Sequence, residues 1–174
     1  MNKKADKIKL YNALKERLIR ESRSDLLRFT LSTMPTFRPA DFHRRYYHVL
    51  TDFAHGNIRK LMVFMPPQHG KSEGSTRRLP AFILGDNPEK KVAIVSYNAP
   101  KARKFNREIQ RIIDSEEYHD IFPETSLNAS NVTTVAGSWL RNADECEIVG
   151  HRGGFKTVGV GGALTGEPVD ILIM

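Results

Sequence analysis

The chain has 174 residues, of which 40% are apolar and 27% charged, and it carries a net charge of +7 with a sequence pI near 9.6. These proportions are typical of one folded domain and exclude wholesale disorder, and no apolar run is long enough to span a bilayer. The positive charge favours polyanionic partners, with nucleic acid first among them. The single cysteine, Cys146, excludes an intrachain disulfide and is interpreted as a small packed side chain.

The first part of the chain is predicted to be helical. Apolar residues recur every three or four positions from about Lys4 to Ser32, opposite a charged face, and Pro35 then ends the pattern. A second helix is expected from Asp41, as its N-cap, to His55. We therefore separate an N-terminal helical segment, residues 1–40, from a main domain, residues 41–174.

Strand and helix patterns alternate in the main domain. Apolar runs predict strands at 60–65, 91–96, 132–135, 146–149, 155–160 and 169–174, and helices are expected at 72–84 and 100–114. Asn98 is the predicted cap of the second of these helices. This order predicts an α/β fold in which helices flank a mostly parallel sheet.

A phosphate-binding turn is predicted between the first of these strands and its helix. The turn ends in Gly70-Lys71-Ser72, the last three residues of the Walker A pattern. Gly70 would let backbone N–H groups approach a phosphate, Lys71 would reach the β- and γ-phosphates of ATP as a catalytic residue, and the Ser72 hydroxyl would ligate Mg²⁺. The predicted phosphate-binding residues are Pro67, Gln68, His69, Gly70, Lys71, Ser72 and Glu73.

Two features of this turn qualify the prediction. Met65 replaces the first glycine of the pattern, so an ordinary strand-to-helix turn with a solvated lysine is the alternative. His69 invites a catalytic role, but it is interpreted as a turn residue that packs or hydrogen-bonds locally. Pro66 and Pro67 are expected to stiffen the turn.

Three blocks of sequence resemble, in order and spacing, the ATP-hydrolysing domain of phage large terminases. The first block is Phe64–Glu73, which lacks the first glycine of the Walker A pattern and contains a proline pair. The second is Ser96-Tyr97-Asn98-Ala99 with the basic helix that follows it. The third is Gly159–Gly166 with the apolar run that follows it. The resemblance implies a P-loop NTPase fold of the RecA-like, additional-strand type. It also implies a motor that uses ATP and Mg²⁺ to thread double-stranded DNA into a capsid.

The resemblance implies partners and a cellular setting as well. A small terminase subunit, a portal protein and further copies in a ring are the expected partners, in the cytoplasm of a bacterial host, without a membrane. In the family, the Walker B acids and later a nuclease domain follow the strand that corresponds to 169–174. The sequence stops before those acids, so we expect a chain that binds ATP but hydrolyses it poorly. An inactive prophage remnant and another P-loop NTPase, such as a helicase, are the alternatives.

Basic residues outside the turn suggest two further roles. Arg152, beside Gly153-Gly154, is the candidate for an arginine that acts across a subunit boundary on the transition state, and a surface arginine is the alternative. The polar face of the helix at 100–114 is basic. Its candidates for sequence-independent DNA contact are Lys101, Arg103, Lys104, Arg107 and Arg111, and a solvated helix face is the alternative.

Overall fold

The computed structural model describes residues 3–133, 138–162, 164, 166 and 168–174, and it is an α/β fold. The helices are α1 (Lys3–Ser24), α2 (Leu26–Thr33), α3 (Asp41–Ala54), a π-helix (Glu73–Arg78), α4 (Leu79–Asp86), α5 (Ala99–Ile113) and α6 (Glu116–Ile121). The strands are β1 (Lys91–Ser96), β2 (Glu145–Glu147), β3 (Gly154–Gly159) and β4 (Ile171–Ile173). None of the described helices is long and apolar enough to cross a membrane.

The strands form one open sheet in the order β2-β3-β1-β4. β1 is parallel to both neighbours, with Val92 opposite Phe155 on β3 and Ile171 on β4, whereas β2 runs antiparallel to β3. The sheet is therefore mixed but mostly parallel. The predicted α/β class is confirmed at this level.

β1 and α5 are the elements that the sequence pattern predicts best. Val92 and Ile94 of β1 are almost completely buried between two neighbouring strands, which explains their continuous apolar run. The apolar face of α5 packs on the sheet, and Ile109 at its centre is fully buried. The side chain of Asn98 caps α5 by accepting a hydrogen bond from the Lys101 N–H at 2.9 Å, as predicted.

The strand predicted at 60–65 is wrong. This segment is not part of the sheet, and Met62 and Phe64 are 80% and 85% exposed. The segment and the end of β4 line the same cavity, but they form no hydrogen-bonded pair. Without a neighbouring strand, an apolar sequence cannot form the hydrogen-bonded ladder that defines a strand.

The helix predicted from Lys4 to Ser32 is two helices. Asp25 lies between them, and its carboxylate caps α2 by accepting from the Arg28 N–H at 2.7 Å. Leu26 and Phe29 of α2 belong to the same buried core as Phe82 of α4, so the core extends into the N-terminal segment.

Three other local predictions differ in detail from the structure. Ala40 and not Asp41 is the N-cap of α3, and its N–H donates to Nδ1 of His43 at 3.0 Å. Of the strand predicted at 132–135, Val132 forms an isolated bridge with Arg141, while residues 134 and 135 lie outside the described part of the chain. The short helix α6 has no counterpart among the predictions.

Candidate phosphate-binding site

The predicted phosphate turn is a tight turn that leads directly into a helix. Helical backbone runs from residue 71 to residue 86, and its second turn is the π-helix. Gln68 and Gly70 adopt positive φ angles of 63° and 75°. A Cβ atom on Gly70 would lie 3.1 Å from Nε2 of His43, so both the φ angle and this tight contact favour glycine here.

Helix α3 supports the turn from one side. The Tyr46 hydroxyl donates a hydrogen bond of 2.7 Å to the carbonyl oxygen of Lys71, and burial raises the pKa of this phenol, which keeps it protonated as a donor. Nε2 of His43 lies 3.2 Å from the carbonyl oxygen of His69. The His69 ring is itself hydrogen-bonded to the Pro67 carbonyl at 2.7 Å, which confirms its interpretation as a local turn residue.

The start of the helix presents free backbone donors. Within the described part of the chain, the N–H groups from Lys71 to Glu73 donate to no acceptor, and the first paired donor of the helix is Gly74, which bonds to the Gly70 carbonyl at 3.1 Å. Unpaired N–H groups and the positive end of the helix dipole make such a terminus favourable for an anion.

A cavity of about 620 Å³ lies next to this terminus. Lys71 and Ser72 line it from the helix, and Ser96 and Tyr97 line it from the carboxyl end of β1. The end of β4, from Leu172 to Met174, forms another part of the wall. The cavity therefore opens at the carboxyl edge of parallel strands, where ligands bind in open α/β sheets.

The cavity wall is cationic. Among the described residues, no aspartate or glutamate lines it, whereas Lys71 and Lys101 do. Neither lysine has a carboxylate oxygen within 4.0 Å among the residues that the structure describes. Each positive charge is therefore free to pair with an anionic ligand.

Ser72 is the residue that fits the predicted Mg²⁺. Ser72 lines the cavity, and its hydroxyl has no hydrogen-bond partner in the described part of the chain. Mg²⁺ at a phosphate site takes one or two protein oxygens and completes its shell with phosphate oxygens and water. The residues present thus fit a Mg²⁺ ion that arrives with a phosphate ligand. The described residues contain no group of three histidine, cysteine or acidic side chains that could hold a metal without such a ligand.

The side chain of Glu73 is already paired with arginines, so only its backbone N–H is available to an anion. Its carboxylate accepts from Arg77 Nη1 at 3.0 Å and from Arg78 Nε at 2.7 Å, and Arg77 continues to Glu108 on α5. These side chains are between 10% and 23% exposed, so the network is largely withdrawn from water. The network fixes the π-helix relative to α5 and leaves the Glu73 carboxylate occupied.

Arg152 lies at the opposite edge of the sheet from Lys71. It precedes β3, its N–H donates to Glu89 at 3.2 Å, and its side chain is exposed. A smaller cavity of about 200 Å³ at this edge is lined by Arg152 and by Cys146. Within one chain the structure does not bring Arg152 to Lys71, so its predicted role across a subunit boundary stays a hypothesis.

Cys146 is a packed residue, as predicted. Its side chain is fully buried, and burial raises the pKa of its thiol to about 12. A thiol with this pKa is protonated at neutral pH and therefore a poor nucleophile.

The predicted DNA-contacting residues of α5 do not act as one free surface. Arg103 forms two hydrogen bonds with Asp144, of 2.8 and 3.2 Å, and Lys104 lies 3.9 Å from Glu108. Lys101 faces the cavity of Lys71, and Arg111 lines a different cavity with Arg77 and Arg78. Arg107 is exposed and has no carboxylate partner among the described residues.

Three contributors to the site escaped the sequence predictions. Tyr46 and His43 support the turn from α3, and no local motif marks them as partners of a segment more than twenty residues away. Lys101 was predicted as a DNA contact and instead lines the cavity. Its spacing of four residues from Phe105 on a helix was a signal for side-chain contact, but not for the direction of that contact.

Comparison with known proteins adds no relative. No protein family, curated protein or solved structure matches this chain. The fold and the site therefore define the class of the molecule: an α/β protein with a cationic cavity at the carboxyl edge of a mostly parallel sheet. Any narrower assignment rests on the residues of the cavity and on the resemblance of the three sequence blocks.

Proposed function

We propose that this chain binds the triphosphate of ATP together with Mg²⁺ in the cavity of Lys71. The observation that carries the proposal is one juxtaposition: Lys71 and Ser72 begin a helix whose first N–H groups are free, and they line a cavity with no aspartate or glutamate among its described residues. Backbone N–H groups would hold the phosphates, Lys71 would pair with the β- and γ-phosphates, and Ser72 would ligate the metal ion. The Tyr46 hydrogen bond would keep the backbone of Lys71 in place.

We propose further that the chain is the ATP-binding part of a DNA-packaging ATPase of the large-terminase type, with a P-loop, RecA-like fold. The order of the elements supports this proposal, because the turn, β1, α5 and β4 follow one another as the resemblance implies. The glycine-containing turn also lies at the carboxyl edge of the sheet, where a P-loop fold binds nucleotide. Double-stranded DNA, a small terminase subunit, a portal protein and a ring of copies are the partners proposed on this basis.

Binding without efficient hydrolysis is the second part of the proposal. Hydrolysis at such a site needs carboxylates that hold the hydrated metal ion and position the attacking water. Among the described residues that line this cavity there is no aspartate or glutamate. Asp170, the nearest acid in sequence to β4, lies at the amino end of that strand, where it accepts from the Lys91 N–H at 2.7 Å.

A calorimetric titration with Mg·ATP tests the proposal. We compare the wild-type chain with Lys71→Ala and with Lys60→Ala, whose side chain is exposed and does not line the cavity. The loss of a charged hydrogen-bonding partner should weaken binding by at least about tenfold in Lys71→Ala and should leave Lys60→Ala unchanged. Phosphate release by the wild-type chain should stay close to that of Lys71→Ala.

Two results would contradict this function. Equal affinity in all three proteins would show that Mg·ATP binds elsewhere. A folded wild-type chain that does not bind Mg·ATP at all would remove the basis for the nucleotide site.

A further inference from the structure

Lys101 brings a second positive charge to the cavity from a different element. It lies in the first turn of α5, directly after the end of β1, while Lys71 lies in the first turn of another helix. Both lysines line the same cavity, together with Ser72, Ser75 and Ser96. Two cations and several serines, with no aspartate or glutamate among the described lining residues, form a wall that suits a polyanion rather than a neutral ligand.

The ring of Phe105 holds the Lys101 side chain in this position. The Lys101 ammonium lies 5.2 Å from the centre of the ring, and the Arg77 guanidinium lies 5.3 Å from the same centre. Phe105 itself is only 6% exposed, so it is a fixed support. A cation over an aromatic face is attracted by the ring quadrupole, and this attraction limits the freedom of the long lysine side chain.

The two cations that contact Phe105 differ in their charge balance. Arg77 is paired with both Glu73 and Glu108 and is therefore neutralised. Lys101 has no carboxylate within 4.0 Å in the part of the chain that the structure describes. On α5, Arg103 and Lys104 are paired with carboxylates, whereas Arg107 is exposed and unpaired among the described residues. Lys101 differs from Arg107 because its unpaired charge lines the cavity of Lys71.

We propose that Lys101 binds the terminal phosphate of the ligand and makes the site selective for triphosphates over monophosphates. This inference rests on the proposed function, because it takes the Lys71 turn as the place where the phosphate chain is held. Negative charge remains on a triphosphate after it binds Mg²⁺, and Lys71 alone does not balance it. Lys101 supplies the second charge from across the cavity, at the end of the phosphate chain where the charge is highest.

The test compares three ligands by calorimetry: Mg·ATP, magnesium tripolyphosphate and AMP with Mg²⁺. The proteins are wild type, Lys101→Gln, Lys101→Arg and the control Arg45→Gln, which removes one exposed charge of α3 that does not line the cavity. Lys101→Gln should bind Mg·ATP and tripolyphosphate about tenfold more weakly than wild type, and Arg45→Gln should not. Lys101→Arg should keep most of the affinity, and AMP binding should be almost insensitive to residue 101.

The possible results distinguish a failure of the Lys101 proposal from a failure of the proposed nucleotide binding. If Lys71→Ala loses Mg·ATP while Lys101→Gln matches Arg45→Gln, the role of Lys101 is overturned and the nucleotide site stands. An equal loss for AMP and ATP would also overturn it, because the effect would not depend on the terminal phosphate. Failure of wild type to bind any of the three ligands would overturn both proposals. Thermal unfolding of Lys101→Gln at the wild-type temperature shows that the comparison is between folded proteins.

Discussion

At the scale of single residues, the phosphate turn depends on one glycine more than on any other. Gly70 combines a φ angle of 75° with a Cβ position that would lie 3.1 Å from the His43 ring. Gly56, just after α3, has a similar φ angle of 80° but no atom within 4 Å of its Cβ position. A comparison of substitutions at the two glycines therefore distinguishes the effect of backbone strain from the effect of the contact with His43.

Alanine at either glycine should destabilise the protein, but only one alanine should affect binding. A non-glycine residue in the left-handed region costs roughly 1–2 kcal/mol, so Gly56→Ala and Gly70→Ala should both lower the free energy of unfolding by about that amount. Gly70→Ala should in addition push against His43, move the turn and weaken Mg·ATP binding. Urea unfolding measures the first effect and calorimetry the second.

The control defines the result that would contradict this view. Gly56→Ala changes the same kind of backbone outside the cavity, so its Mg·ATP affinity should equal that of wild type. If Gly70→Ala also binds Mg·ATP normally, the positive φ at residue 70 is not needed for the site.

At the scale of elements, the π-helix connects the turn to its surroundings. Gly74 at its start packs so closely on α3 that a Cβ atom there would lie 2.7 Å from the Tyr46 ring. Glu73, Arg77 and Arg78 then connect the π-helix to α5 and, through the Arg78 bond of 2.8 Å to Thr33 Oγ1, to the end of α2. The turn is thus held by contacts with three helices.

Removing the charge of Glu73 should be costly. Glu73→Gln leaves Arg78, whose side chain is only 10% exposed, without its carboxylate, and breaking a buried ion pair from one side typically costs about 3 kcal/mol or more. Glu21→Gln is the matched control, because Glu21 pairs with Arg17 and Arg28 at the surface, where ion pairs contribute little to stability. Urea unfolding of the two variants measures the difference.

Equal destabilisation by the two substitutions would contradict this account of the π-helix. Replacing both Glu73 and Arg78 by glutamine should recover part of the lost stability, since no unpaired buried charge then remains.

The elements also show what a sequence can predict and where it fails. β1 and α5 were predicted nearly to the residue because local sequence features determine them. These features are the continuous apolar run of β1, and the apolar stripe and asparagine cap of α5. The prediction of a strand at 60–65 was wrong because an apolar run indicates a tendency to be buried, but it does not indicate whether a neighbouring strand is present. A helix was predicted at 72–84, but no local pattern in the sequence indicated its π-helical turn at Glu73–Arg78.

The site divides in the same way. A local motif predicts the Lys71 turn, because glycine, lysine and serine are adjacent in sequence. The support from Tyr46 and the arrival of Lys101 at the same cavity depend on how α3 and α5 pack. Such information lies in the whole core and not in any short segment.

At the scale of the whole molecule, the net charge of +7 is not one uniform surface. Many basic side chains are neutralised within the fold, among them Arg77, Arg78 and Arg141, which pair with acidic residues. On α5, Arg103 is held by Asp144, and that pairing raises the pKa of Arg103. Arg107, on the same helix, is exposed and has no acidic partner in the described part of the chain.

This distribution predicts how the proposed DNA contact should depend on salt. Binding to double-stranded DNA should be equal for two unrelated sequences and should weaken as salt rises, because phosphate contacts release counterions. Each lost phosphate contact lowers the slope of log affinity against log salt by about 0.9. Arg107→Gln should lower the slope by about that amount. Arg103→Gln should lower it less, because Arg103 must first leave Asp144 to meet a phosphate.

Fluorescence anisotropy with labelled duplexes over a range of salt concentrations measures these slopes, with Arg45→Gln on α3 as a charge-matched control. Slopes that are the same in wild type, Arg107→Gln and Arg103→Gln would place the DNA away from α5. A larger effect of Arg103 than of Arg107 would show instead that the Asp144 pair opens on binding. In that case the release of Asp144, whose side chain is half exposed, would become part of the energetics of DNA contact.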